Sequence, residues 1–188
     1  PRGMSSAASD VYKRQYLSLE GAVIQMINHG ITSGALFMLV GFLYDRRHTR
    51  RISDFGGLRK SMPIYAAIFL FTSFASIGLP GLNGFVGEFM ILMGSYPTFK
   101  VLTSVAAFGV VLAAIYMLWA YQRMFNGQLD NDENSVLKDL SSKELVAVGP
   151  LLVLMLFIGI YPSFIESYVV QDVSVIYESI SNLIGVSQ

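Results

Sequence analysis

The chain contains no cysteine. That excludes disulfides and cysteine-held zinc or iron–sulfur centres, and leaves the compartment open. Only two histidines occur, neither with a carboxylate at ligand spacing, so no metal site is indicated. There is no P-loop and no dinucleotide-binding glycine fingerprint. Net charge is zero, which gives no basic face for nucleic acid. Charge is scarce altogether. Charged residues make up 14% of the chain against 53% hydrophobic, and the mean hydropathy is +0.53. That balance belongs to a membrane protein.

What the chain has is long apolar runs. Four stand out: Gly21–Tyr44, Pro63–Tyr96, Val101–Tyr121 and Leu145–Tyr161. The third has 21 residues and no charge, and as a helix it would be about 31 Å long, the thickness of a hydrocarbon core. The fourth has 17 residues, with Pro150 near its start, where a missing N–H costs least. Tyr44, Tyr96, Tyr121 and Tyr161 close the runs as interfacial aromatics do. The 34 residues of the second run would form a rod of about 51 Å, too long for one crossing. Pro80 removes a backbone N–H and turns Leu79 away from helix, Gly81 and Gly84 accept unusual angles, and Asn83 is a helix-capping type. The expected fold is therefore an all-α polytopic membrane protein of four transmembrane helices. The second is discontinuous at Leu79–Gly84, near mid-membrane, where broken backbone survives only inside protein or beside a wet cavity.

Basic residues alternate between the links. Arg46, Arg47, Arg50, Arg51, Arg59 and Lys60 follow the first run, Lys100 alone follows the second, and Arg123, Lys138 and Lys143 follow the third. The positive-inside rule places the first and third links in the cytoplasm and both chain ends outside. The stretch PRGMSSAASDVYKRQ, residues 1–15, is small, polar and basic. It reads as a non-native junction or a disordered tail, outside the bundle of residues 16–163. In residues 164–188, Ile165, Val169, Val173, Ile176, Ile180 and Leu183 recur at steps of three and four between Glu166, Asp172 and Glu178. This predicts an amphipathic helix on the outer membrane surface or on a partner.

Glu88 is the one charge inside the four runs. An ionised group at such a depth costs roughly 2.5–3.5 kcal/mol on the insertion scale and faces a bundle interior. Desolvation favours its neutral form and a nearby half-helix N-terminus favours its anion. That opposition suits a proton carrier, although a neutral acid in a single interhelical hydrogen bond is the plain structural alternative. His29 lies in GAVIQMINHGITSGALF, where Gln25, His29, Thr32 and Ser33 step by four, three and one along one face. The stripe fits the lining of a water wire with His29 as relay, or equally a histidine satisfied by a neighbouring helix. Gly30 and Gly34 form a GxxxG pattern suited to close helix packing.

The stretch GAVIQMINHGITSGALFMLVGFLYDRRHTRRISDFGGL, followed by SIGLPGLNGFVGEFMIL, resembles the C-terminal part of an antiporter-like membrane subunit of the bacterial proton-pumping NADH:quinone oxidoreductase, complex I. The family also supplies multisubunit cation/proton antiporters. The likeness covers roughly residues 16 to 165. It implies a parent of about fourteen membrane helices built from inverted repeats, with the last ones supplied here and with Glu88 in the discontinuous helix. Glu88 matches a position held by acid or lysine among sibling subunits, as the terminal proton carrier towards the outer face. His29 matches a histidine of the central hydrophilic axis. The resemblance further implies the bacterial inner membrane, other membrane subunits of complex I and the lipid bilayer as partners, and no cofactor in this chain. NADH, flavin, iron–sulfur and quinone sites are expected on partner subunits. The family's first-repeat Glu and Lys and its connecting Lys are not in this sequence, so this stretch alone is not expected to pump. A sodium/proton antiporter subunit and a purely structural scaffold remain as alternative functions.

Overall fold

The computed structural model describes residues 6–129 and 131–184, with side chains described for 13–129 and 131–179. Among these residues there are eight α-helices, one 3-10 turn at Ile52–Asp54, and no strand. Helix α1 (Ser6–Arg47) is the spine of the fold. It takes in residues 6–15, which run on into the first apolar run as continuous helix. It ends with Arg46 and Arg47 in its last turn, where cations suit the carbonyl end of the dipole, and with His48 in the left-handed region at φ 53°.

A short α2 (Leu58–Ser61) leads into α3 (Pro63–Ser76), which is followed by α4 (Asn83–Ser95), α5 (Lys100–Phe125) and a short α6 (Asp132–Ser135). Helix α7 (Ser142–Ile160) and helix α8 (Ser163–Ile184) complete the described chain. Residues 13–47 of α1, α5 and α7 are each long and apolar enough to cross a membrane. Helices α3 and α4, of 14 and 13 residues, are each about 20 Å long and span a bilayer only as a pair. The four expected crossings are present, and the chain is a multi-pass membrane protein.

Helix α4 lies along the N-terminal half of α1, and small residues set the distance. A Cβ on Gly21 would meet Met90 Cβ at 2.6 Å, and one on Gly94 would meet Ser18 N at 2.6 Å. Ser18 and Ser95 share a hydroxyl hydrogen bond of 2.7 Å across the same seam. The GxxxG glycines behave differently. A Cβ on Gly30 or Gly34 would meet nothing within 4 Å, so neither packs against a described helix. Helix α8 docks on α1 with Val169 and Val173 buried, and Tyr16 Oη donates to Val170 O at 2.8 Å. Val169 and Val173 of its amphipathic stripe are thus used within the chain, Ile176 is exposed, and the side chains of Ile180 and Leu183 lie outside those described. Helix α5 is bare along its length, with only Thr103, Tyr121 and Phe125 buried.

The other end of the bundle is held by polar bonds and by rings. Tyr65, Phe69, Tyr121 and Phe125 stack between α3 and α5 with centroids 4.6 to 6.4 Å apart. Arg46 makes paired bonds of 2.6 and 2.7 Å to Glu144 on α7, and also donates to the carbonyls of Phe42, Lys138 and Asp139. Asp139 in turn accepts from the backbone N–H groups of Ile64 and Tyr65, capping the start of α3. Tyr65 Oη donates to Leu39 O on α1 at 2.9 Å. Ser141 and Glu144 complete a capping box on α7. The link after the third apolar run therefore ties α1, α3 and α7 together. Nearby, the Thr49 hydroxyl bond to Asp54 holds that carboxyl below the usual carboxylate range.

Replacing Arg46 with Gln should lower the stability of the complete subunit by about 2–3 kcal/mol, because Glu144 loses a charge-assisted pair. Arg46→Lys should restore only part of this, since one ammonium cannot serve a carboxylate in bidentate fashion and three carbonyls together. Thermal denaturation in detergent checks both.

Candidate functional site

The break is built by Gly78 rather than by Pro80. Helix α3 stops at Ser76, Gly78 turns left-handed at φ 73°, and Leu79 N–H reaches back to Phe74 O at 3.0 Å. This is a Schellman termination with glycine in its usual place. Pro80 follows in a chain that has already left the helix, and α4 restarts at Asn83, so the interruption runs from Ile77 to Leu82. It lies beside Asn28, close to the middle of the 13–47 membrane-length stretch of α1. Three neighbours close on it. Gly84 of α4 packs on Ala75 O, Gly159 of α7 packs on Gly81 O and Leu82, and α1 covers the remaining side with Asn28.

Asn83 does not cap α4. It is the first helical residue, preceded by Leu82 as the N-cap, and its fully buried side chain turns to α1. There Asn28 Nδ2 donates to Asn83 O at 2.6 Å, and Asn83 Nδ2 lies 3.3 Å from both Asn28 O and Asn28 Oδ1. The exchange ties the first turn of α4, immediately after the break, to α1 at a depth where water is scarce. Thr32, 3% exposed, returns its hydroxyl to Asn28 O at 2.9 Å.

Glu88 sits in the second turn of α4, half-buried. Gln25 Nε2 donates to its Oε1 at 3.2 Å. Its Oε2 lies against the Cα of Gly78, in the space that a Cβ would fill. The carboxyl is thus gripped between an α1 amide and the left-handed residue that ends α3. Gly87 brings the α4 backbone onto Gln25, since a Cβ there would meet Gln25 Cα at 2.9 Å.

The polar stripe of α1 divides in two. Gln25 and Asn28 face α4, and Thr32, four residues further on, is buried with its hydroxyl on Asn28 O. His29 is exposed, and its backbone carbonyl accepts from the Thr32 and Ser33 hydroxyls, with no side-chain bond among the described residues. The structure therefore joins Gln25 to Glu88 and does not join His29 to it. Two residues were not singled out by sequence reasoning. Asn28 carried a signal, because it stands three residues after Gln25 and four before Thr32. Glu20, 8% exposed on α1 and close enough to Glu166 of α8 for their charges to interact, lies one residue before the first apolar run as drawn. Among the described residues no cluster of three or more His, Asp or Glu could hold a metal.

Residues 9–116 match the family described as NADH:quinone oxidoreductase/Mrp antiporter, TM. The chain belongs to this family. It is 41% identical over 169 residues to NADH-quinone oxidoreductase subunit M of Rhodobacter capsulatus, covering 88% of this chain and 32% of that protein. It is 39% identical over 169 residues to NADH-ubiquinone oxidoreductase chain 4 of Marchantia polymorpha, with the same two coverages. A chain of respiratory complex I from Thermus thermophilus with bound NADH superposes with a TM-score of 0.74 at 31% identity, over 92% of this chain and 36% of that one. The chain thus spans about a third of the length of these relatives.

The Asn28–Asn83 exchange should behave as a coupled pair. Asn28→Leu strands the Asn83 groups and should cost about 2 kcal/mol. The Asn28→Leu/Asn83→Leu double variant should cost less than the sum of the single changes, with a coupling of about 1 kcal/mol. Thermal unfolding of the complete subunit in detergent measures the cycle.

Proposed function

We propose that this chain is the C-terminal part of a membrane-arm subunit of NADH:quinone oxidoreductase, in which Glu88 takes up and releases a proton as electron transfer drives the complex. The observation that carries the reading is the placement of Glu88. A lone carboxyl meets a helix break halfway along a membrane-length helix, held by one amide and by a backbone turn. An intramembrane acid that faces protein and has no cationic partner is the kind of group that exchanges protons. No ion pair involves Glu88 among the described residues. The names of the curated relatives favour NADH:quinone oxidoreductase over a stand-alone antiporter.

In this reading His29 relays protons through water along the exposed face of α1, with Ser33 beside it. Gln25, Asn28 and Thr32 hold the polar strip that leads to the break. The lipid bilayer surrounds the bare helices, and other membrane subunits complete the arm. NADH, flavin, iron–sulfur centres and quinone reside on those partners. The setting is the bacterial inner membrane, with the links after the first and third crossings in the cytoplasm and both ends outside.

Glu88→Gln in the complete subunit, assembled in its complex and reconstituted into liposomes, tests the reading. It keeps the shape and the Gln25 contact and removes the titrating group. Proton translocation should fall about tenfold, at the low end of what a positioned acid–base group contributes, with assembly unchanged. An unchanged number of protons moved per NADH oxidised would sink the proposal in favour of a scaffold. Activity that follows sodium rather than NADH would point to the antiporter branch.

A further inference from the structure

A buried carboxyl that cycles between charged and neutral forms has two opposite needs. As an anion it accepts only. As an acid it carries an O–H that must find an acceptor. Lys, Arg and His⁺ can meet the first need and not the second. A side-chain amide can meet both, because it carries a donor and an acceptor on one carbon.

Gln25 is that amide, and half of it is idle. Its Nε2 donates to Glu88 Oε1 at 3.2 Å, while its Oε1 is buried and accepts no hydrogen bond among the described residues. An unsatisfied buried acceptor is costly unless another state of the site gives it a partner. The neighbouring polar groups do not relieve it. Asn28 is committed to Asn83, and the Thr32 hydroxyl to backbone carbonyls. The backbone of α4 at Gly87 lies against the Gln25 stem and fixes its position. Gly78 occupies the side of Glu88 Oε2, so Oε1 is the oxygen whose partner can change.

We propose that Gln25 is a positioning residue that serves Glu88 in both protonation states by turning its amide. Nε2 donates to the carboxylate, and Oε1 accepts from the neutral carboxyl. The inference rests on the reading of Glu88 as a proton carrier. A proton delivered by water bonds to Glu88 Oε1. The N–H···O contact then gives way to O–H···O, as the amide rotates by about half a turn about its terminal torsion, a broad two-fold rotor. When the proton leaves to water, the rotation reverses. No bond within Gln25 breaks, and one proton is taken up for each one released. The orphaned oxygen is therefore the acceptor kept for the other half of the cycle.

The test is redox-triggered difference infrared spectroscopy on the assembled complex, alongside proton translocation. The carbonyl band of protonated Glu88 is assigned by its loss in Glu88→Gln. Gln25→Met keeps the length and removes both hydrogen bonds. The band should move to higher wavenumber, as for a carboxyl that donates to nothing, and proton translocation should fall about tenfold. Gln25→Lys supplies a donor and no acceptor, and should fail as badly as Gln25→Met. If Lys restores translocation, the amide serves only the anion and the proposal falls. A Glu88 band unmoved by Gln25→Met also overturns it, while the loss of translocation in Glu88→Gln would leave the wider reading standing. A Glu88→Gln variant without effect overturns both. Should Gln25→Met not assemble, Gln25→Asn, which withdraws the same amide by one methylene, should give the same displaced band.

Discussion

Backbone that leaves its helix between Ile77 and Leu82 exposes polar groups halfway along α1, and the rest of the structure answers that exposure. Hydrocarbon cannot satisfy them, so protein must. The Schellman bond from Leu79 to Phe74 ends α3, Leu82 N–H donates to Leu79 O and Phe85 N–H to Leu82 O, and α7 covers Gly81 and Leu82 at Gly159. Each contact requires close approach, which is why glycines stand at 78, 84 and 159. Glu88 inherits its setting from this arrangement. The turn that ends α3 is the surface on which its carboxyl rests.

A site built on such close backbone approach needs its helices held elsewhere. The Arg46, Asp139, Glu144 and Tyr65 bonds do so at the far end of α1. These bonds and the ring stack leave α3, α5 and α7 little freedom to slide on α1. Rigid supports of this kind let a single amide rotor be the moving part, because reorganisation is confined to one torsion.

The sequence made the four crossings legible, as charge-free apolar runs separated by basic links, and singled out the interrupted second run and its one acid. The break itself lies two residues earlier than proline placed it. Both Pro80 and Gly78 can end a helix, and sequence alone does not say which acts first. The α1 stripe of the sequence runs through His29, but Asn28, only 100° away on the helix, makes the contact to α4. Glu20 fell outside because the first run was begun at Gly21, whereas α1 has no boundary there. Nor could periodicity show what α8 packs against. An amphipathic stripe names a face and not its partner, and for Val169 and Val173 the partner is α1.

The seam between α1 and α4 bears on how a proton could reach Glu88. On the side of Gly21 and Gly94 the two backbones approach so closely that a single added methyl would collide, and Ser18 and Ser95 bond directly across it. The touching backbones leave no room for water between them there, although a cavity of about 380 Å³ lined by Ser18, Leu19, Ala22, Gly94, Ser95 and Tyr177 opens beside the contact. On the side of Asn28, Thr32 and His29, by contrast, hydroxyls and amides accumulate on α1, and the Gly30 and Gly34 positions are open. The closely packed flank and the polar flank meet at Gln25. In the proposed function a proton route along the polar flank would reach Glu88 past Gln25, the residue able to hold the carboxyl in either form.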